Sequence, residues 1–278
     1  MKSSSSRSFP VPRAAFDGWI VEFRQAIAEA RASYREDSPF LVSQIGMLDS
    51  LRYLDRLYFD LCGFAEFLKP GDRILDIGTG CGIAAWAMAS MGYETEGIDI
   101  DDFNEASLHA DMAAAQRVLW RVLESRRKGL RFQHYYKSAI PFDEETFDAV
   151  VAYGVLEHIP ESVLDAVMHD VARVTRPGGH LMISYLPRTW AWIEWTLRRL
   201  GQSHHERLWG DRETKAFLAA HGYLVERFER IIFAPQYPPE FANRHKRLFD
   251  AMDRLSGVSP FAWFARDLHV VARKGGSP

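Results

Sequence analysis

Asp76, Gly78, Gly80 and Gly82, within the run Ile-Leu-Asp-Ile-Gly-Thr-Gly-Cys-Gly over residues 74–82, are the residues whose types and spacing point most directly to chemistry. An acid near the carboxyl end of an apolar stretch, followed by three alternating glycines, describes a turn that can take unusual dihedrals and approach a ligand closely. A helix starting at about Ile83 would aim its first free N–H groups and its dipole at whatever occupies that turn, favouring an anionic group. Asp99 closes the stretch Gly97-Ile98-Asp99, where an acid can accept hydrogen bonds from two ribose hydroxyls.

The elements that must hold these groups follow from the flanking pattern. Ile74, Leu75 and Ile77 form a short apolar run, as expected of a parallel strand covered on both faces. Residues 83–91 read as a helix ended by Gly92, and residues 94–99 as a second strand, which makes one βαβ unit. A dinucleotide fingerprint would need glycine at position 83, which is Ile, and no Gly-Lys-Ser/Thr follows for a P-loop. A tight strand-to-helix connection without a ligand is the bland alternative.

A chain of 278 residues with 47% apolar content can bury a full core and fits one large α/β domain with additions. The net charge of −3, with no long basic run, argues against a general nucleic-acid binder. Cys62 and Cys81 are the only cysteines and have no paired spacing, so neither a disulfide framework nor a cysteine metal site is expected, and a cytoplasmic setting fits. The Ser-rich start reads as a disordered tail over residues 1–13, with neither a secretory nor a transmembrane segment.

Helical patterning fills residues 14–70. Phe16, Ile20, Phe23 and Ile27 form one stripe, and Leu48, Leu51, Leu54 and Leu57 another, in a cap placed over the substrate side of the sheet. A long helix is expected over residues 103–128, capped by Asp101 and Asp102, then a strand over 131–136. Residues 147–154, Phe-Asp-Ala-Val-Val-Ala-Tyr-Gly, form a buried fourth strand leading into Val-Leu-Glu-His-Ile-Pro, and a helix over 161–175 runs through Arg-Pro-Gly-Gly into a fifth strand over 180–186.

Three of these strings, Asp76-x-Gly-x-Gly-x-Gly, the Phe147-Asp to Leu-Glu-His158 stretch, and Arg176-Pro-Gly-Gly before a strand, occur in order over residues 73–186. Together they resemble the class I S-adenosylmethionine-dependent methyltransferases, in particular the broad bacterial small-molecule and quinone-type group. The resemblance implies a Rossmann-like doubly wound α/β fold, with a seven-stranded, mostly parallel sheet whose last strand is antiparallel. N-terminal helices and a helical insertion would be added to it. The implied division is an S-adenosylmethionine-binding core over residues 71–187, followed by a lid, substrate region and final hairpin over 188–278.

The resemblance also implies roles. Asp76 helps hold the amino group of the cofactor's methionine portion, Gly78, Thr79, Gly80 and Gly82 line that portion, Asp99 with Ile100 holds the ribose, and Tyr153, at the end of the fourth strand, is a further cofactor-binding residue. Where the family often places an acid that contacts adenine, this chain has Tyr136-Lys137-Ser138-Ala139, so that contact would fall to backbone and Ser138. An acceptor hydroxyl needs its proton removed, and His158, His204 and His205 are the candidate bases. Contiguous His204-His205-Glu206 lacks helical ligand spacing, so no metal set is expected.

The helical stripe Trp190, Ile193, Leu197 and Leu200, with Trp192 and Trp195 beside it, reads first as a buried helix, and otherwise as a lid or an interfacial anchor presenting Arg198-Arg199 to lipid. A helix over 211–221 and a strand over 223–233 follow, and residues 234–266 separate that strand from a last one over 267–273. The basic cluster Arg244, His245, Lys246 and Arg247 reads as a solvated face. The expected activity is methyl transfer to a small or lipid-like acceptor at oxygen. The alternatives are a cofactor-binding partner subunit without turnover, a nicotinamide oxidoreductase, or an RNA or protein methyltransferase.

Overall fold

The computed structural model describes residues 10–100, 108–135, 139–201, 205, 207–256 and 260–275. Seven strands form one sheet: β1 (Arg73–Ile77), β2 (Glu94–Ile100), β3 (Leu130–Tyr135), β4 (Phe147–Tyr153), β5 (Thr175–Pro187), β6 (Tyr223–Ile231) and β7 (Asp267–Lys274). Their order across the sheet is β3-β2-β1-β4-β5-β7-β6. The first five pair in parallel, while β7 is antiparallel to both β5 and β6. This is the Rossmann-like arrangement expected, with β7 slotted between β5 and β6.

The side-chain period of two divides the core. Ala149, Val151, Met182 and Val271 face one layer, while Val150, Ala152, Leu181, Ile183 and Val270 face the other. The first layer holds α1 (Arg13–Ser33), α2 (Pro39–Leu48), α3 (Leu51–Ala65), α4 (Ile83–Ser90) and α5 (Leu108–Arg126). The second holds α6 (Glu161–Val174) and α8 (Asp211–Ala220). Phe16, Ile20, Phe23 and Ile27 are buried as one stripe of α1, and burying each such side chain contributes about 1.5–3 kcal/mol.

The second leucine stripe is not one helix face. Leu48 ends α2, Ser50 caps α3 by accepting from the Tyr53 N–H, and Leu51 is 47% exposed. The two serines at positions 38 and 50 split what apolar periodicity alone joins, since each takes the cap of a new helix. The Arg-Pro-Gly-Gly segment is drawn into a longer β5, with a register shift against β4 between Phe147 and Ala149.

The buried-helix reading of residues 190–200 is overturned. Only α7 (Trp192–Arg199) is helical there, Trp190, Trp195 and Leu200 are 65%, 59% and 64% exposed, and the Arg199 guanidinium lies 4.1 Å from the centroid of Trp195. What the helix buries is Glu194. Over its eight residues Glu194 is the one side chain that reaches the interior.

Two buried arginines fix the additions to the sheet. Arg52 of α3 donates to Asp250 at 2.7 Å and Asp253 at 2.5 Å in the helix Lys246–Ser256 and to the carbonyls of Ala234 and Pro235. Arg188 donates to Asp211 and to the carbonyls of Ala262, Trp263 and Ala265. Charges that are paired and hydrogen-bonded on several sides tolerate burial. Among the described residues, no helix is long and apolar enough to cross a membrane.

Candidate active site

At the carboxyl end of β1 the chain turns through Gly78, Gly80 and Gly82 with φ of 60°, 55° and 86°, left-handed values that exclude most side chains. Thr79 Oγ1 donates to Asp76 Oδ2 at 2.6 Å beneath the turn, and the Thr79 N–H reaches the Ile98 carbonyl at 3.0 Å. Asp76 is buried, and that burial pushes its carboxyl up to about 7 despite the Thr79 bond. Its position is that of a support under the glycine turn.

Asp99 ends β2 beside the same turn. Its Oδ2 accepts from the Gly80 N–H at 2.9 Å and from Gln116 Nε2 at 3.1 Å, and its Oδ1 accepts from the Ile100 N–H at 2.8 Å. Burial raises its carboxyl above the usual range, against the pull of those bonds. A second layer holds the turn from behind. Trp120 Nε1 and Gln116 Nε2 both donate to the Gly80 carbonyl, at 3.0 and 3.2 Å, and His134 pairs with Gln116 Oε1 at 2.9 Å.

Phe132 of β3 sets how closely these strands approach. A Cβ on Gly82 would lie 2.7 Å from its ring, and a Cβ on Gly97 2.5 Å. A Cβ on Gly80 would meet nothing nearer than 4.0 Å, so the turn is open on the side where a ligand's backbone-like portion would lie. An open glycine cradle, the first turn of α4 behind it and an acid at the next strand end suit a methionine portion joined to a ribose. Ser138 and His204 lie outside the described residues, as do the cap positions Asp101 and Asp102.

Beside this cradle stands the end of β4. Ala152 pairs with Ile77, which places Tyr153 next to Gly78, and a Cβ on Gly78 would strike Val155 at 2.7 Å. A one-turn 3₁₀ helix (Leu156–His158) follows, with Glu157 buried and His158 half exposed. His205 reaches this place from the far loop. Its ring centroid is 5.5 Å from that of His158, and its Nδ1 lies 2.9 Å from Glu194 Oε2. Burial favours the neutral Glu194 carboxyl, but His205 and Arg266 outweigh it and hold the group below its usual range.

The fold thus gathers Glu157, His158 and His205, whose ligand-capable atoms all lie within 4.8 Å of one another. Contiguity hid this trio, because the partners of His205 come from the end of β4 and not from its own loop. Burial raises the Glu157 carboxyl to about 8, and its Oε2 has no hydrogen-bond partner. Two imidazoles and a carboxylate are also a donor set that suits a divalent transition ion.

Sequence reasoning missed Gln116, Trp120 and Glu194, and a cluster on α3. Arg56 and Asp60 are spaced i, i+4 among Leu54, Leu57 and Leu61 on the buried face of that helix. Charges placed among core leucines at helical spacing were the available signal.

This fold and cradle define a class I S-adenosylmethionine-dependent methyltransferase. A family model described as "Methyltransferase domain" matches residues 50–228, and the chain belongs to that family. It is similar to the ubiquinone biosynthesis O-methyltransferase of Alkalilimnicola ehrlichii, with 36% identity over 118 residues, 42% of this chain and 43% of the relative. The match therefore spans less than half of that relative's length. In structure it is similar to an S-adenosylmethionine-dependent methyltransferase of Methanosarcina mazei, with a TM-score of 0.53 and 19% identity over 77% of this chain and 97% of the other. It is also similar to phosphoethanolamine N-methyltransferase 2 of Haemonchus contortus, solved with S-adenosylmethionine, with a TM-score of 0.53 and 20% identity over 79% of this chain and 52% of the other. The cofactor is S-adenosylmethionine.

Proposed function

We propose that the enzyme methylates a hydroxyl group of a small, largely apolar molecule at the carboxyl ends of β4 and β5. The observation that carries this reading is the Glu194–His205 pair beside the glycine cradle. S-adenosylmethionine supplies an electrophilic methyl group on a sulfonium centre, so the chain's task is to orient the acceptor, exclude water and take the acceptor's proton. A carboxylate on Nδ1 of His205 fixes that nitrogen as the proton-bearing one and leaves Nε2 as the base. Arg266, at 3.4 Å from the other Glu194 oxygen, keeps the carboxylate in place. The O-methyltransferase activity in the name of the Alkalilimnicola relative supports oxygen as the acceptor atom. Asp99 is assigned to the ribose, and Asp76, Gly78, Thr79 and Gly80 to the methionine portion.

The Glu157–His158–His205 trio supports a second use of the same imidazole, as one ligand of a divalent ion that would lower the acceptor hydroxyl's pKa. Transfer of labelled methyl from S-adenosylmethionine to a panel of hydroxylated aromatic and aliphatic compounds, before and after chelation and with magnesium, manganese or zinc restored, tests both. Methyl ethers formed without added metal support the base. Ethers formed only with metal support the trio, and turnover of amines or thiols alone overturns both.

A further inference from the structure

Four tyrosines from distant parts of the chain meet where β4 and β5 end. The ring of Tyr185 lies 5.0 Å from Tyr153 and 6.2 Å from Tyr53, and Tyr53 lies 6.5 Å from Tyr237. The backbone of Tyr185 is left-handed, with φ of 61°, inside the irregularity that breaks β5–β7 pairing between Ile183 and Leu186. A bulge of this kind re-aims a side chain, and a bulky residue is not held there without support. Here the support is Gln236, whose Oε1 accepts from the Tyr185 hydroxyl at 3.0 Å.

Against this aromatic wall lies Arg56, buried and fixed on three sides. Its Nε donates to Asp60, its Nη2 donates to Ser184 Oγ at 2.7 Å, and its guanidinium carbon sits 5.3 Å from the centroid of Tyr185. Asp60 is itself held by the Ser184 hydroxyl at 2.6 Å and by His269 Nδ1 at 3.2 Å. Arg56 Nη1, in contrast, is buried with no hydrogen-bond partner, and so is the Tyr153 hydroxyl. A buried donor without a partner is costly to keep, and ligand contact is one way to relieve that cost; Asp60 Oδ1 and His269 Nδ1 in the same cluster also make no hydrogen bond, but they face each other at 3.2 Å.

We propose that Arg56 Nη1 and the Tyr153 hydroxyl recognise the methyl acceptor, and that the acceptor is an aromatic ring bearing a second oxygen besides the hydroxyl that reacts. Tyr53, Tyr153 and Tyr185 supply faces and edges for the ring. The open guanidinium donor requires an acceptor atom, which a ring carbonyl, phenol or phenolate oxygen provides. This assignment deepens the hydroxyl-methylation reading and rests on it for the position of the acceptor. It makes α3, the helix that carries Tyr53 and Arg56, the element that selects the substrate.

The test is calorimetric binding of 1,2-dihydroxybenzene and of phenol to the full-length protein saturated with S-adenosylhomocysteine, for the wild type, Tyr153→Phe and Arg56→Lys. The wild type is expected to bind the dihydroxy compound roughly tenfold or more tighter than phenol. Both variants are expected to lose most of that preference while keeping their affinity for phenol and for S-adenosylhomocysteine. Tyr153→Phe removes one oxygen and keeps the ring, so it separates recognition from folding. Equal binding of the two compounds by the wild type, binding of neither, or an unchanged preference in both variants overturns the assignment. A preference that is present and lost as described, in a protein that transfers no methyl to either compound, supports recognition by Arg56 and Tyr153 and counts against hydroxyl methylation alone.

Discussion

His205 Nδ1 and Glu194 Oε2 are 2.9 Å apart, and the carboxylate of that pair is fully buried. The imidazole is therefore oriented from behind by a group that never meets solvent, and its ring lies 5.5 Å from that of His158 just past the end of β4.

His205→Gln is expected to lower kcat by roughly 100-fold or more, the usual contribution of a positioned base. Glu194→Gln, which keeps the hydrogen bond but not the charge, should cost less and should alter the pH–rate profile. Affinity for S-adenosylhomocysteine should stay unchanged in both. Steady-state kinetics with calorimetry checks this, and full kcat in His205→Gln would remove the base from this position.

Asp99→Ala is expected to weaken S-adenosylmethionine binding by roughly 10- to 100-fold, the effect of losing hydrogen bonds to a charged acceptor. Because Asp99 also holds the Gly80 N–H and Gln116, Asp99→Asn separates the two contributions. Asparagine can keep one intramolecular bond but serves two ribose hydroxyls poorly. Wild-type affinity in both variants would take the ribose away from this residue.

Asp76 gives a pH dependence with a definite sign. Its folded carboxyl, pushed up by burial to about 7, lies above that of an unfolded aspartate near 3.9, so the folded state binds the extra proton between those values. Its contribution to stability is complete below about pH 4 and is lost as pH rises toward 7, at up to about 1.4 kcal/mol per pH unit. Asp60 and Asp211, whose carboxyls burial would raise but whose cationic partners hold below the usual range, act in the opposite sense and lose their contribution only as pH falls below about 4. Urea unfolding of the cofactor-free protein between pH 5 and 7 should show a decline that Asp76→Asn reduces. A variant curve parallel to the wild type would contradict this.

Gly97→Ala is expected to destabilise by about 1–3 kcal/mol, since its Cβ would lie 2.5 Å from the Phe132 ring. Phe132→Leu should recover part of that loss in the double variant. Chemical denaturation of the four members of this cycle measures the coupling, and simple additivity would show that the ring is not the obstacle.

The cofactor half was legible because its signals are local. Asp76, the three glycines and Asp99 are read within one βαβ unit, and strand hydrophobicity together with the Gly turns marks six of the seven strands within two residues of their observed ends, β5 beginning five residues earlier than expected. The rest was illegible for a common reason, which is that its partners are distant. Nothing near Glu194 in the chain announces that it turns inward while Trp195 turns out, because that choice is made by His205 and Arg266. Arg56 has its meaning only through Ser184, and Leu48 and Leu51 seem one stripe until the Ser50 cap is known to separate them.

Asp60 of α3 and His269 of β7 meet at 3.2 Å, although one is made early in synthesis and the other late. A ribosome delivering this chain releases β1, α4 and β2 long before β7 exists, so the glycine turn and Asp99 are present while Asp60 still lacks its histidine. That contact is made only when β7 takes its place between β5 and β6 and brings His269 to Asp60.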